Sequence, residues 1–311
     1  MKEKSESGQF FEKLINRRSF VTRSAAIGAG AAAAAFLPGS FRALRASGSF
    51  PDGFGREDAS GDTAQQIFTA ALIAEDLATT FYYNGLVGGV IQDPNLSGPG
   101  GTATDVTAAG NLGNVEYVRA ALSEEIAHAD LLRSLINGTK PSGDPYQTFY
   151  FPTGSFDTLG PFLSLLDALE NAFIGAYLTA TLEFAEMAID TRSGRLQFDA
   201  TGKPYSAEDL AYYGQVAASI LGIESEHRVL GRVISNTNPA NQLNYEQTDG
   251  LTSVYNGKKS AVVALTPFLA PGSGLTAYSF GTAVQGASQV TIATTGTIPP
   301  APANLGGGFR R

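Results

Sequence analysis

The chain has 311 residues, 43% of them hydrophobic, with 29 Asp and Glu against 21 Lys and Arg and a formal net charge of -8. That length and apolar content suffice for one large packed domain with appendages, which excludes a disordered or fibrous protein, and the acidic balance argues against nucleic-acid and anionic-membrane surfaces, which select basic patches. Cysteine is absent, so disulfides, thiolate metal sites, cysteine nucleophiles and a lipid-modified N-terminal cysteine are excluded, and any metal must sit among oxygen and imidazole ligands.

Residues 1–24 are polar and basic, and residues 25–37 (AAIGAGAAAAAFL) form a mild apolar run too short to span a bilayer comfortably. This order predicts an export signal over residues 1–46. The stretch Asn16-Arg17-Arg18-Ser19-Phe20-Val21-Thr22 resembles the twin-arginine consensus in both arginines and the Phe, and departs from it in Asn for Ser or Thr, Val for Leu and Thr for Lys. The expected location is therefore periplasmic or otherwise extracytoplasmic. Cleavage is expected near Ala43 or Ala46, the alternative being a retained signal that associates the protein with the membrane. The twin-arginine route carries folded proteins, often with a cofactor already acquired. A Gly-, Ser- and Asp-rich linker covers residues 47–62.

From Thr63 to about Val90, the residues Phe68, Ala71, Glu75, Ala78 and Tyr82 recur at spacings of three and four and predict a first helix, ended by Gly88-Gly89 and Pro94. The segment DPNLSGPGGTATD is a loop by composition. A second helix is predicted from about Leu112 to Ile136, with Val118, Leu122, Glu125, Ala129, Leu132 and Ile136 on one face and Asn137-Gly138 as its stop. Residues 138–157 have no helical period and are too long for a tight turn, which predicts a crossover along a bundle. The third helix runs from about Thr158 to Asp190, capped by Asp157 or Thr158 with Pro161 in its first turn. After the loop TRSGRLQFDATGKPYS, Ser206-Ala-Glu-Asp starts a fourth that runs to about Ser235. Four long helices with one long crossover between the second and third predict an all-α four-helix bundle over residues 63–235. The C-terminal extension, 236–311, reads as irregular, with one modest helix at about 258–269, strand-like pieces such as SQVTIATT and a Gly- and Pro-rich tail.

The chain has two histidines, and each stands three residues after a glutamate on a predicted helix: Glu125-Ile-Ala-His128 and Glu224-Ser-Glu-His227. At about 100° per residue, positions i and i+3 lie about 60° apart on one face, so carboxylate and imidazole reach the same place from adjacent turns. Glu-x-x-His on two helices, with one Glu from each of the other two, is the di-metal carboxylate pattern of ferritin-like bundles. Glu75 on the apolar stripe of the first helix supplies the third carboxylate. Asp76, turned about 100° away, is expected in solvent. On the third helix Glu170 matches Glu125 in axial height, whereas Glu183 lies about 20 Å farther along and is the fallback. Glu116, Glu124, Glu186 and Glu226 read as solvated residues. Tyr82, Tyr83, Tyr177 and Tyr213 read as core aromatics, with a role beside the metals as the minor alternative.

Over roughly residues 60–270 the chain resembles the bacterial and plant ferritin-like family that includes the desiccation-related proteins, through AEDLATTFYYNGL, EEIAHADLLRSL, ALENAFIGAYLTA and GIESEHRVLGRVI. The resemblance implies the ferritin-like fold, while the long loops and C-terminal extension argue against a storage cage. Two functions are expected. One is an exported redox protein with two iron or manganese ions, bridged by Glu125 and Glu224, flanked by Glu75 and Glu170 and capped by His128 and His227. It would meet dioxygen or peroxide, oxidising Fe(II) or removing peroxide under stress. The alternative is a non-catalytic stress or envelope protein that keeps the bundle.

Overall fold

The computed structural model describes residues 62–93, 112–136, 140–235 and 261–290. The expected export signal, nearly all of the linker, the loop after Pro94, the Asn137-Gly138 stop, residues 236–260 and the tail beyond Val290 lie outside these residues.

Helix α1 spans Ala64–Val87. It starts with a capping box: the Thr63 hydroxyl accepts from the Gln66 backbone N–H, and Gln66 Oε1 accepts from the Thr63 N–H at 2.7 Å, so two amides without intrahelical partners are satisfied at once. Helix α2 spans Leu112–Leu135, α3 Leu159–Arg192 and α4 Ala207–Ile234. Ser206 and Asp209 form a second capping box at the start of α4. Helix α3 is long and apolar enough to cross a membrane by composition, but its apolar side is packed into the bundle, as in the core helix of a globular domain.

The bundle is two helix pairs laid face to face. Helices α1 and α2 pack along one another, as do α3 and α4, while the contacts of α1 with α3 and of α2 with α4 are lighter. Gly85 on α1 and Gly231 on α4 allow close approach, since a Cβ at either would collide with Phe162 or Leu166 of α3.

The crossover holds a strand that its sequence does not announce. Strand β1 (Thr148–Pro152) pairs antiparallel with β2 (Leu275–Ser279) from the C-terminal extension, Thr148 opposite Ser279 and Pro152 opposite Leu275. A short helix α5 (Ala261–Leu265), continued by a 3-10 turn over Thr266–Phe268, precedes β2, and helix α6 (Phe280–Val290) follows it and lies on α1. The expected strand at SQVTIATT is corrected in its described part: Ser288, Gln289 and Val290 are the last turn of α6. Alternation over a few residues does not separate a strand from the end of an amphipathic helix, and the apolar face of Phe280, Ala283, Ala287 and Val290 decides for the helix.

The core divides into two apolar layers. One gathers Phe81, Phe149, Phe151, Phe156, Phe162, Phe268 and Phe280 beside the β1–β2 pair, with Phe81 and Phe162 stacked at 4.7 Å and 4°. The other holds Phe68, Phe184, Met187, Tyr205 and Leu210. Complete burial of a side chain such as Phe162 stabilises by about 1.5–3 kcal/mol, so both layers hold the helices in register about what lies between them.

Candidate metal centre

Each helix of the bundle contributes one glutamate to a common point. Glu75 of α1, Glu125 of α2, Glu170 of α3 and Glu224 of α4 are all buried, none more than 2% exposed. The three-residue offset brings His128 and His227 in from the next turns of α2 and α4. Two sets of ligand-capable atoms result, from Glu75, Glu125, His128 and Glu224 and from Glu125, Glu170, Glu224 and His227, and within each set the atoms lie within 4.8 Å of one another. The structure thus brings all six expected residues together. Glu183 is buried on α3 but belongs to neither set.

The two shared carboxylates have a bridging geometry. Nδ1 of His128 is 3.8 Å from Glu125 Oε2 and 3.4 Å from Glu224 Oε1. Nδ1 of His227 is 3.0 Å from Glu125 Oε1 and 3.4 Å from Glu224 Oε2. Glu125 and Glu224 therefore each turn one oxygen to each imidazole. The outer carboxylates are held by tyrosines: the Tyr82 hydroxyl donates to Glu170 Oε1 at 2.5 Å and the Tyr177 hydroxyl donates to Glu75 Oε1. Glu75 Oε2 also lies 3.3 Å from His128 Nδ1. Tyr83 and Tyr213 take no part: Tyr83 packs against Gly286 of α6, and Tyr213 stacks edge-on with Phe68 and Tyr205.

Burial, and then the Glu125 and Glu224 charges, push the Glu75 carboxyl well above the usual range, and burial with the Glu224 charge does the same to Glu170. Burial also acts on Glu125, but the two imidazoles beside it outweigh that and hold it below the usual range. For His128 and His227 burial opposes the charged form, yet the surrounding carboxylates outweigh it and hold both imidazoles well above their ordinary value. Tyr82 and Tyr177, raised by burial and then by the carboxylate each faces, stay protonated donors.

Both oxygens of Glu125, both of Glu224, Oε2 of Glu170 and Nδ1 of His227 are buried and meet no partner in hydrogen-bond geometry, the imidazole contacts at 3.0–3.8 Å being ion pairs. Carboxylate oxygens in a dry core cost several kcal/mol each unless a cation or donor meets them. Two divalent ions balance the four carboxylate charges, and the oxygen and imidazole donors suit iron or manganese. The residues present fit a two-metal centre.

Two expectations drawn from single helices are corrected. Asp76 is fully buried rather than solvated, because the crossover and α2 cover the side of α1 it occupies. There Arg133 of α2 donates from Nε and Nη2 to Asp144 in the crossover at 2.6–3.0 Å, and from Nη2 to Asp76 at 3.5 Å. Burial and the Asp144 charge, opposed by Arg133, raise the Asp76 carboxyl to about 9. Glu124 is only partly solvated: its Oε2 accepts from His227 Nε2 at 2.8 Å. A sequence signal for the arginine existed, since Arg133 and Arg232 each follow a histidine by five residues, in HADLLR and HRVLGR, and both are buried.

An all-α bundle with one glutamate per helix and two Glu-x-x-His pairs is the ferritin-like arrangement, with a carboxylate and histidine cluster that could hold metal. Residues 63–196 match the family model of the ferritin-like domain, a span that holds Glu75, Glu125, His128 and Glu170, while Glu224 and His227 lie beyond it on α4. No curated protein and no solved structure matches the chain.

Proposed function

We propose that the protein is an exported di-metal carboxylate protein that oxidises Fe(II) or removes peroxide in stress protection, close in kind to the desiccation-related ferritin-like proteins. The observation that carries this reading is the bridging geometry of Glu125 and Glu224, whose four oxygens are buried without hydrogen-bond partners. Glu75 and His128 would hold one ion, Glu170 and His227 the other, and Glu125 and Glu224 would join them. Iron or manganese bound there supplies electron exchange with dioxygen or peroxide, which no protein side chain in the centre provides.

The chain's own residues do the rest. Tyr82 and Tyr177 aim the outer carboxylates inwards and remove their freedom to rotate. The two aromatic layers exclude water from both ends of the centre. The imidazoles, whose charged form the carboxylates favour, would give up the Nδ1 proton to leave a nitrogen able to hold a cation beside those oxygens. Export rests on the twin-arginine pattern at Arg17 and Arg18.

The test is elemental analysis after loading with Fe(II) or Mn(II), together with consumption of dioxygen or hydrogen peroxide. Two equivalents of metal and turnover are expected. A protein that stays metal-free and inactive overturns the proposal and leaves the non-catalytic stress or envelope role.

A further inference from the structure

The two halves of the centre correspond position by position. Glu75 and Tyr82 on α1 match Glu170 and Tyr177 on α3 at the same spacing, and Glu125, His128 and Arg133 on α2 match Glu224, His227 and Arg232 on α4. The hydrogen bonds follow the same relation, each tyrosine serving the glutamate of the opposite pair. The correspondence breaks at the residue before each bridging glutamate, which is Glu124 on α2 and Ile223 on α4.

That break falls on the imidazoles. Glu124 reaches across from α2 and its Oε2 accepts from Nε2 of His227 at 2.8 Å, while the His227 side chain is only 3% exposed. The matching position opposite His128 is Ile223, which offers no acceptor in its side chain. Among the described residues, every polar contact of His128 is made by Nδ1, on the inner side, and the ring is 12% exposed.

We propose that Glu124 is a positioning residue that makes the two metal positions unequal, so that the Glu170/His227 position holds its ion more tightly and the Glu75/His128 position exchanges its ion first. The inference rests on the two-metal reading above and adds an order to it. A carboxylate on Nε2 keeps a proton on that nitrogen, makes Nδ1 the nitrogen that would meet a cation, raises its basicity and holds the ring in one orientation before binding. Among the described residues Nε2 of His128 has no such partner, so its ring would lose more freedom on binding. Glu124 is 44% exposed, so its charge is screened and its effect comes through the hydrogen bond.

The test is calorimetric titration of the metal-free protein with Co(II), read alongside the paramagnetically shifted imidazole N–H signals of the Co(II) form. Wild type is expected to take up two Co(II) with different affinities and to show one slowly exchanging N–H, from His227. Glu124→Ala should weaken the tighter step about 10–100-fold, leave the other step unchanged and lose the protected signal. Glu124→Gln, which keeps an acceptor, should retain that signal and most of the affinity, and Ile223→Glu should tighten the weaker step. Two equal affinities in wild type, or a Glu124→Ala protein in which neither step or both steps equally weaken, overturns the inference while the two-metal reading stands. A folded wild type that takes up no Co(II) overturns that reading and the inference with it.

Discussion

Glu75 and Asp76 are neighbours on α1, both are buried, and they stand in opposite kinds of charge network. Asp76 faces Arg133, which the chain supplies from α2 and which also grips Asp144 in the crossover, so this network contains its own cation. Glu75 faces Glu125, Glu224 and His128, where carboxylate oxygens outnumber the donors that reach them. The first network is neutralised from within by Arg133 and ties three segments together, although Oδ2 of Asp76 has no hydrogen-bond partner. The second is incomplete, because the inner oxygens of Glu125 and Glu224 lack hydrogen-bond donors. Buried ions whose partners are all present give little net stability but are costly to break, whereas buried carboxylates in excess make a receptor for cations.

The largest test of that contrast removes the internal cation. Arg133→Ala leaves Asp144 buried without its partner and should lower the free energy of unfolding by about 3–5 kcal/mol in a denaturant titration; a loss under 1 kcal/mol would erase the distinction between the two networks. Next comes the addition of an external cation. Mn(II) at about 100 times its dissociation constant should stabilise the metal-stripped protein by about 2.7 kcal/mol, seen as a higher melting temperature. The same addition to Glu125→Gln/Glu224→Gln should give no shift. A smaller effect is expected from Tyr82→Phe, which removes the hydrogen bond to Glu170: about 0.5–1.5 kcal/mol of stability, with two metal equivalents still bound by elemental analysis. The smallest concerns Glu75→Gln in the metal-free protein. Burial and the Glu125 and Glu224 charges raise the Glu75 carboxyl well above its usual range and so favour its uncharged form, and an uncharged isostere should change stability by about 1 kcal/mol or less. The same substitution should remove one metal equivalent. A large gain in metal-free stability would mean that Glu75 is ionised there.

The four helices were legible in the residues because their causes are local. The period of three and four, the Thr63 and Ser206 caps and the glycine breaks act within a turn or two, and the observed ends at Ala64, Leu135, Leu159 and Ile234 fall within a few residues of those expected. The convergence of Glu75, Glu125, His128, Glu170, Glu224 and His227 was legible for the same reason: Glu-x-x-His is a spacing on one helix, and axial height selects Glu170 over Glu183 once the crossover sets the direction of α3.

The tertiary structure alone decided the features that depend on which element covers which. Asp76 is buried because the crossover and α2 close over that side of α1, a fact absent from the α1 pattern. Glu124 meets His227 across 103 residues of chain, so a position that reads as solvated on α2 becomes a partner of α4. The pairing of β1 with β2 joins the crossover to the C-terminal extension, and a strand that finds its partner so far along the chain has little local signature. The sequence by itself thus determined the helices and the residues of the cluster, since both follow from spacing along one axis. Which of its two halves is braced from outside became visible only when the helices were packed together, because that bracing is a contact between helices.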